Sequence, residues 1–532
     1  MSDVVDVKDD EEAERSEQPR AVRSRTVAVV LTAALGAVLA FLLVKDSLTD
    51  DAFITLAYAK NVATDLHWGL IPQEVSNSAT SPLNVLLLAA VTTVLRVFGG
   101  VYPILALGVV TVGLTMLMAW GWARIVRALR LPMLAAVLGI ALVLVNPFVL
   151  SAVGLEVVLI PTVLVLLVAM ALEGRPVWFG AVSALAVLTR LDLVVFVLVI
   201  ALGTAAIRRR ALVALLSAVV VAAPWYVFSW FALGSAIPDT LLIKTMQPGL
   251  FGEWSFLTGP VMYFMGRHLV VTLAFLPMVL GVFALVSWLA VRWSAQWGRP
   301  SALRELAPVV ALGVGGVLHY AVYSLMGVGP YHWYFVTPMV SLSTFLAAMA
   351  GVWWSRSRQV NQVRPGPPAV LLGLIGLLVA GNLAVDLKQG VSWKSPVIFG
   401  NWASAQDYAR VGTELGERLR GATVRSPGEI GTLAYYCDCA IVDEFSDRGL
   451  VLEKVNLRID TADSVTGLLL RLNYARLDRT TPPRAVDYQL EYAPGPGSES
   501  DTWTVYSAAK GVGHFTLVPV RGNTQTPGNS VG

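Results

Sequence analysis

Cysteine is almost absent: Cys437 and Cys439 are the only two in 532 residues. One residue apart, they form no disulfide framework and lack the four ligands of a structural zinc site, so they read as incidental. Charge is scarce as well. Asp, Glu, Lys and Arg make up 14% of the chain against 56% hydrophobic residues, and mean hydropathy is +0.66. A water-soluble chain of this length could not bury so much apolar surface, so a bilayer must be its solvent. A net charge of +3 is too small to argue for a nucleic-acid partner. Also missing are a short apolar core with a small-residue cleavage site, as a secretory signal has, and any internal repeat.

What the chain has is a series of long apolar runs. Residues 1–25 are acidic, then carry Arg20, Arg23 and Arg25, and read as a disordered cytoplasmic N-terminus. Val27 to Val44 follow without a charge, enough to cross the hydrocarbon core as an uncleaved first span. If residues 82–98 were also a span, the basic stretch ARIVRALR (123–130) would fall outside, against the positive-inside rule. Taken as a short helix in the outer interface, 82–98 lets every Arg cluster fall inside. This reading gives a mainly α protein of about eleven spans. They lie near 26–45, 102–122, 131–152, 157–172, 177–189, 191–207, 211–231, 268–292, 305–326, 332–354 and 368–386. The membrane domain is thus 26–390, in a plasma membrane. Past Leu387 the composition turns polar. NWASAQDYARVGTELGERLR repeats apolar positions at helical spacing, while AVDYQLEYA and HFTLVPV alternate like strands. Residues 394–520 therefore predict an extracytoplasmic α+β domain, and 521–532 a disordered tail.

With this topology the polar residues gather outside. Asp50, Asp51 and Tyr58 follow the first span, and Glu156 lies between two apolar runs. Arg190 and Asp192 share one turn; Asp239 and Lys244 share AIPDTLLIK; His268 precedes a span; Tyr331, His332 and Trp333 occur in GVGPYHWYF. Ionisable groups at membrane depth are costly and point to a site. Each also has a plainer reading. Asp50 or Asp51 suits the N-cap of a helix beginning at Ala52, Arg190–Asp192 and Lys244–Asp239 suit structural ion pairs, and the aromatic group around His332 suits an interfacial belt.

Taken in order, DDAFITLAYAKN, ATSPL, VGLEV, LTRLD and IPDTLLIK resemble the motifs of the GT-C superfamily of polytopic glycosyltransferases. Among these the chain looks most like actinobacterial enzymes using polyprenyl-phosphate sugars, including cell-wall arabinofuranosyltransferases. The resemblance covers residues 25 to about 390, with looser echoes in GEIGTLAYY and IVDEFSDRGL. It departs from the family pattern at Leu191, where a proline is usual. The resemblance implies transfer of a sugar, arabinofuranose, from a polyprenyl-phosphate donor to a cell-envelope polysaccharide or glycolipid. A carboxylate must take the acceptor hydroxyl's proton, a role that falls to Asp51, with Asp50 as alternate or metal ligand. The leaving phosphate needs fixed cations: Lys244 and Arg190, with His332 and His268 behind them. Glu156 would orient a cation or a sugar hydroxyl, Tyr58 and Asp239 would contact substrate, and Tyr331 and Trp333 would stack on a sugar ring. No cofactor is required, although a divalent cation fits the chemistry. Alternatives stay open: mannosyl or glucosyl transfer, a lipid or sugar transporter, and a non-catalytic scaffold binding cell-wall polymer.

Overall fold

The structure, a computed structural model, describes residues 6–246, 251–293, 305–360, 366–499 and 501–520. The predicted tail, 521–532, lies outside the described residues. The chain divides into two compact units. The first comprises 1–44, 107–222 and 251–391; the second comprises 45–106, 223–250 and 392–532. The polar C-terminal segment expected to form a domain by itself is therefore packed together with the first loop and with 223–250.

The first unit is helical. Among the described residues seven helices are long and apolar enough to cross a membrane: Ser24–Val44, Pro103–Leu129, Ala211–Leu233, His268–Val291, Ala307–Leu325, His332–Arg358 and Pro367–Lys388. Met133–Leu144, Leu159–Leu172, Pro176–Thr189 and Leu191–Gly203 are apolar but shorter. They fall where four further spans were expected. A 14-residue helix rises only about 21 Å, so these four lack the length to cross a hydrocarbon core in a straight line. The expected 131–152 span breaks at Val145–Asn146, where Asn146 accepts from Phe148 N at 2.9 Å and caps a one-turn helix, Pro147–Leu150. Helix also begins at Asp6, inside the segment read as disordered; Glu, Lys and Arg are good helix formers without any apolar face.

The His332–Arg358 span is buried along its whole apolar window. It packs against His268–Trp293, Ala307–Leu325, Met133–Leu144 and Pro367–Lys388. Close approach requires a residue without a side chain. A Cβ at Gly281 would stand 2.6 Å from the Leu342 carbonyl oxygen, so only glycine permits this helix crossing. Aromatic rings fill the space at one end: Phe335 stacks on Phe256 at 4.3 Å and meets Phe148, Tyr263 and Phe275 edge-on.

The second unit contains a five-stranded sheet. Its strands are β1 (Thr423–Arg425), β2 (Ala440–Val442), β3 (Tyr488–Pro494), β4 (Thr502–Ser507) and β5 (Gly511–Pro519), in the order β2-β1-β3-β5-β4. β1 runs parallel to β2 and β3, while β5 pairs antiparallel with β3 and β4. The predicted amphipathic helix forms at Ala405–Arg418 and buries Tyr408, Val411 and Leu415. Ser404 caps it by accepting from Asp407 N. The first loop supplies the helix Asp50–Asp65, which packs against Pro82–Leu95 and against the short helix Gly431–Cys437. Segment 223–250 joins through Leu242 and Ile243, buried with Val451, Val455, Tyr474 and Leu477.

Cys437 and Cys439 are not incidental. They form a disulfide across Asp438, which adopts a left-handed backbone with φ of 52°. The αL turn ending the Gly431–Cys437 helix brings their Cα atoms to 5.0 Å, inside the range a disulfide bridges. Lys60 donates to the Asp438 carboxylate at 2.8 Å from the neighbouring helix.

Candidate active site

The expected site residues fall in both units. Asp50, Asp51, Tyr58, Asp239 and Lys244 belong to the second; Glu156, Arg190, His268, Tyr331, His332 and Trp333 belong to the first.

The helix expected from Ala52 begins two residues earlier, at Asp50, with Thr49 as its N-cap. The two adjacent acids therefore sit inside the first turn, where carboxylates complement the helix dipole. Their environments diverge. Asp50 is buried, and its carboxylate accepts from Gly431 N at 2.9 Å and Thr432 N at 2.7 Å, the first two N–H groups of the Gly431–Cys437 helix. It caps a helix other than its own. Asp51, on the next helical position, is half-buried. Burial pushes the Asp50 carboxyl above its ordinary range, opposed by the Thr432 and Gly431 N–H groups.

Behind Asp50 lies a second acid, half-buried, in the GEIGTLAYY stretch. Glu429 accepts from Asn401 Nδ2 and Trp402 N, each at 3.0 Å, and from the Tyr408 hydroxyl. Asn401 Oδ1 in turn accepts from Thr49 Oγ1 at 2.8 Å and Asp50 N at 3.3 Å. Burial, reinforced by the Asp50 charge, pushes Glu429 up to about 8. The GEIG echo thus has a physical meaning: Glu429 and Gly431 hold the start of the first-loop helix.

Tyr58 is buried and fully engaged. Its Oη lies 2.6 Å from Ser76 Oγ and 2.8 Å from Ser78 Oγ, and accepts from Ser78 N. It orders the SNSATSPL turn. Asn77 in that turn donates to Ser229 Oγ and to Ser235 O and Oγ. Asp239 accepts from Ser235 Oγ at 3.0 Å, donates its own N–H to Asn77 O, and is pushed up to about 7 by burial. Lys244 is half-buried near the end of the one-and-a-half-turn helix Thr240–Thr245. Glu74 accepts from Arg448 N at 2.8 Å and from Arg484 at 3.2 Å.

In the first unit, Glu156 and Arg190 do come together. Arg190 Nη1 donates to Glu156 Oε1 at 2.7 Å, its Nε to Asp192 at 3.0 Å, and its Nη2 to Tyr323 Oη at 2.7 Å. His319 Nε2 lies 2.9 Å from Asp192 Oδ2, and the Tyr334 ring lies 5.1 Å from the guanidinium. The cation expected to meet a phosphate is thus already answered by two carboxylates. His319 and Tyr323 escaped the sequence reading, although a lone histidine within an apolar span is itself a signal. His332 is buried with Nε2 3.4 Å from Ser151 O, and His268 stacks on Phe264 at the start of its helix. Tyr331 and Trp333 lie 4.9 Å apart, with Phe251 edge-on to Tyr331.

Among the described residues no group of three or more His, Cys, Asp or Glu side chains is placed to hold a metal ion.

No family model matches the chain, and no curated protein sequence matches it. Solved structures do. The oligosaccharyltransferase of Archaeoglobus fulgidus, tethered to an acceptor peptide containing the NVT sequon, aligns with a TM-score of 0.54 at 13% identity, over 88% of this chain and 69% of that one. ArnT from Cupriavidus metallidurans in the apo state aligns at 0.50 and 14%, over 92% and 97%. The fold is GT-C. A mycobacterial arabinofuranosyltransferase, AftD, aligns at 0.43 and 13%, over 92% of this chain and 41% of that one. The chain is a multi-pass membrane protein.

Proposed function

We propose that the protein is a membrane glycosyltransferase that moves a sugar, arabinofuranose, from a polyprenyl-phosphate donor to a cell-envelope glycan on the extracytoplasmic side. The observation that carries the reading is the divergence of Asp50 and Asp51 at one helix start. Asp50 is spent on the Gly431 and Thr432 amides, whereas Asp51 keeps a surface open to solvent. A base must reach its substrate, and the second acid of the pair has the exposure to do so.

In the proposed reaction the acceptor hydroxyl oxygen bonds to the anomeric carbon as Asp51 takes its proton. The bond from that carbon to the donor phosphate oxygen breaks, and the electron pair leaves with the polyprenyl phosphate. Lys244 answers the charge that develops on the leaving group. Arabinofuranose as the sugar rests on the motif order DDAFITLAYAKN, VGLEV, LTRLD and IPDTLLIK. The outward placement of the second unit is supported by the Arg clusters that the same topology gathers on the inner side and by the Cys437–Cys439 bond, since disulfides persist in oxidising compartments. It puts the N-terminus in the cytoplasm.

The test is sugar transfer by the purified full chain, given radiolabelled polyprenyl-phosphate arabinofuranose, mannose or glucose in separate reactions with a cell-envelope glycan acceptor. Label moving to glycan from the arabinose donor alone, and lost in Asp51→Asn, supports the reading. Transfer from a hexose donor alone would replace the sugar and keep the enzyme class. No transfer from any donor, with lipid-linked sugar crossing proteoliposome membranes instead, would make the protein a transporter.

A further inference from the structure

The helix Ser464–Asn473 turns an apolar face away from its own core. Val465, Leu468, Leu469 and Leu472 recur at i, i+3, i+4 and i+7, one side of a helix, and are 54–68% exposed. On the other flank Gly467 is buried and Leu470 packs against the Val451, Val455, Tyr474 and Leu477 core. Four large side chains in one exposed row are not the surface of a domain bathed only in water.

The neighbours of this helix indicate what covers it. Trp230 Nε1 donates to Leu472 O at 3.0 Å, and Asn473 Oδ1 accepts from Ile237 N at 2.8 Å. The C-terminal end of the helix is thereby fastened to the chain leaving the span Ala211–Leu233. That span has 11% of its apolar window buried, so nearly all of it faces lipid. Phe231, at its end, is exposed like the leucines. Arg476 lies over the Trp230 and Phe231 rings at 5.5 and 4.9 Å. A tryptophan at the end of a span marks the water–lipid boundary, and an apolar helix face flanked by arginine is the pattern of a helix lying in that boundary.

We propose that Ser464–Asn473 is an interfacial anchor. Its Val465, Leu468, Leu469 and Leu472 face inserts into the bilayer leaflet where the span Ala211–Leu233 ends. Exposed Arg471 and Arg476 then meet lipid phosphates. The anchor holds the polar C-terminal segment down on the membrane surface, whichever sugar is transferred and whether or not the transfer reaction is as proposed.

The experiment places a single nitroxide on the full chain in nanodiscs of phosphatidylethanolamine and phosphatidylglycerol. The labelled positions are Leu468→Cys and Leu472→Cys, with Glu417→Cys on the exposed face of Ala405–Arg418 as the water reference; the native cysteines are bonded to each other. Collision with dissolved oxygen is compared with collision with a water-soluble nickel chelate. The anchor requires severalfold higher oxygen access and severalfold lower nickel access at 468 and 472 than at 417. Nickel access equal to that at 417 would show a solvated face and overturn the proposal. Protection from both reagents would show a protein surface, such as a second copy of the chain, and would overturn it too. Equal melting temperatures of the labelled variants and the unlabelled chain confirm that each reading comes from the native fold.

Discussion

Gly431 donates its backbone N–H to Asp50 Oδ2 at 2.9 Å, and a Cβ at Gly431 would stand 2.0 Å from the Asp50 carbonyl oxygen. The acid and the glycine therefore fit as a pair, with backbone against backbone. Gly431→Ala should force the two helix starts apart and destabilise the second unit by roughly 1–3 kcal/mol. A lowered melting temperature of the purified variant in detergent checks this. An unchanged one would mean that the junction has slack.

A second expectation concerns pH. Burial raises Glu429 to about 8 from an ordinary 4.5, and Asp443 and Asp239 each to about 7, burial again being the leading cause. Between the unfolded and folded values the folded state holds protons that the unfolded chain releases. Stability is then fully present at low pH and falls as pH rises through the folded values. The melting temperature should decline between about pH 5 and about pH 8.5. Glu429→Gln should flatten that decline, because the amide still accepts from Trp402 N but does not titrate. A melting temperature that climbs over this range would contradict the buried-acid arrangement.

The positions of helices were readable because apolar length and Arg placement are one-dimensional signals. Glu156 beside Arg190 was legible only as two costly ions needing partners. What closed the network, His319 and Tyr323, lies more than a hundred residues away in another helix, and nothing local to LTRLD points there. The role of Glu429 was hidden for the same reason. GEIGTLAYY looks like solvated turn and helix until Asn401, Tyr408 and Asp50 surround the acid. The disulfide escaped because CDC spacing suits one only when the intervening Asp438 takes a left-handed backbone.

In the first unit, Arg190 should prove structural before anything else. Arg190→Met would leave Glu156 and Asp192 without their cation, and breaking a buried pair in this way costs about 3–5 kcal/mol. Poor recovery of folded protein is expected, read by size-exclusion behaviour in detergent. Glu156→Gln, which retains an acceptor for Nη1 and leaves Asp192 in place, should be milder. Equal folded yield of Arg190→Met and the parent chain would return Arg190 to the donor phosphate.

For Lys244 the expectation is kinetic. Lys244→Met keeps most of the stem and removes the charge. One charge-assisted hydrogen bond is worth roughly 1.5–3 kcal/mol, about ten- to a hundredfold in donor affinity or rate. A rise in KM for the lipid donor or a fall in kcat, with the melting temperature held, supports contact with the phosphate. Unaltered donor dependence would make Lys244 part of the packing of 223–250 only.

The adjacent acids should separate cleanly by experiment. Asp50→Asn places an amide against the Gly431 and Thr432 N–H donors, where one of its two terminal atoms is itself a donor. The variant loses at least one of two buried hydrogen bonds, a cost of about 1–3 kcal/mol, and its melting temperature should fall. Asp51→Asn keeps the side chain's shape and leaves the Asp50 bonds to Gly431 N and Thr432 N in place, so the melting temperature should hold. Its transfer activity should nevertheless drop, since general-base catalysis contributes about 10²–10⁴-fold. The two variants thus predict opposite pairings of stability and activity: Asp50→Asn unstable, with any activity loss tracking the folded fraction, and Asp51→Asn stable but inactive. Measuring both quantities on the same preparations separates a structural acid from a catalytic one. Near-normal turnover in Asp51→Asn at equal folded fraction would leave Asp51 as a first-turn carboxylate complementing the helix dipole, and the base would have to be sought elsewhere.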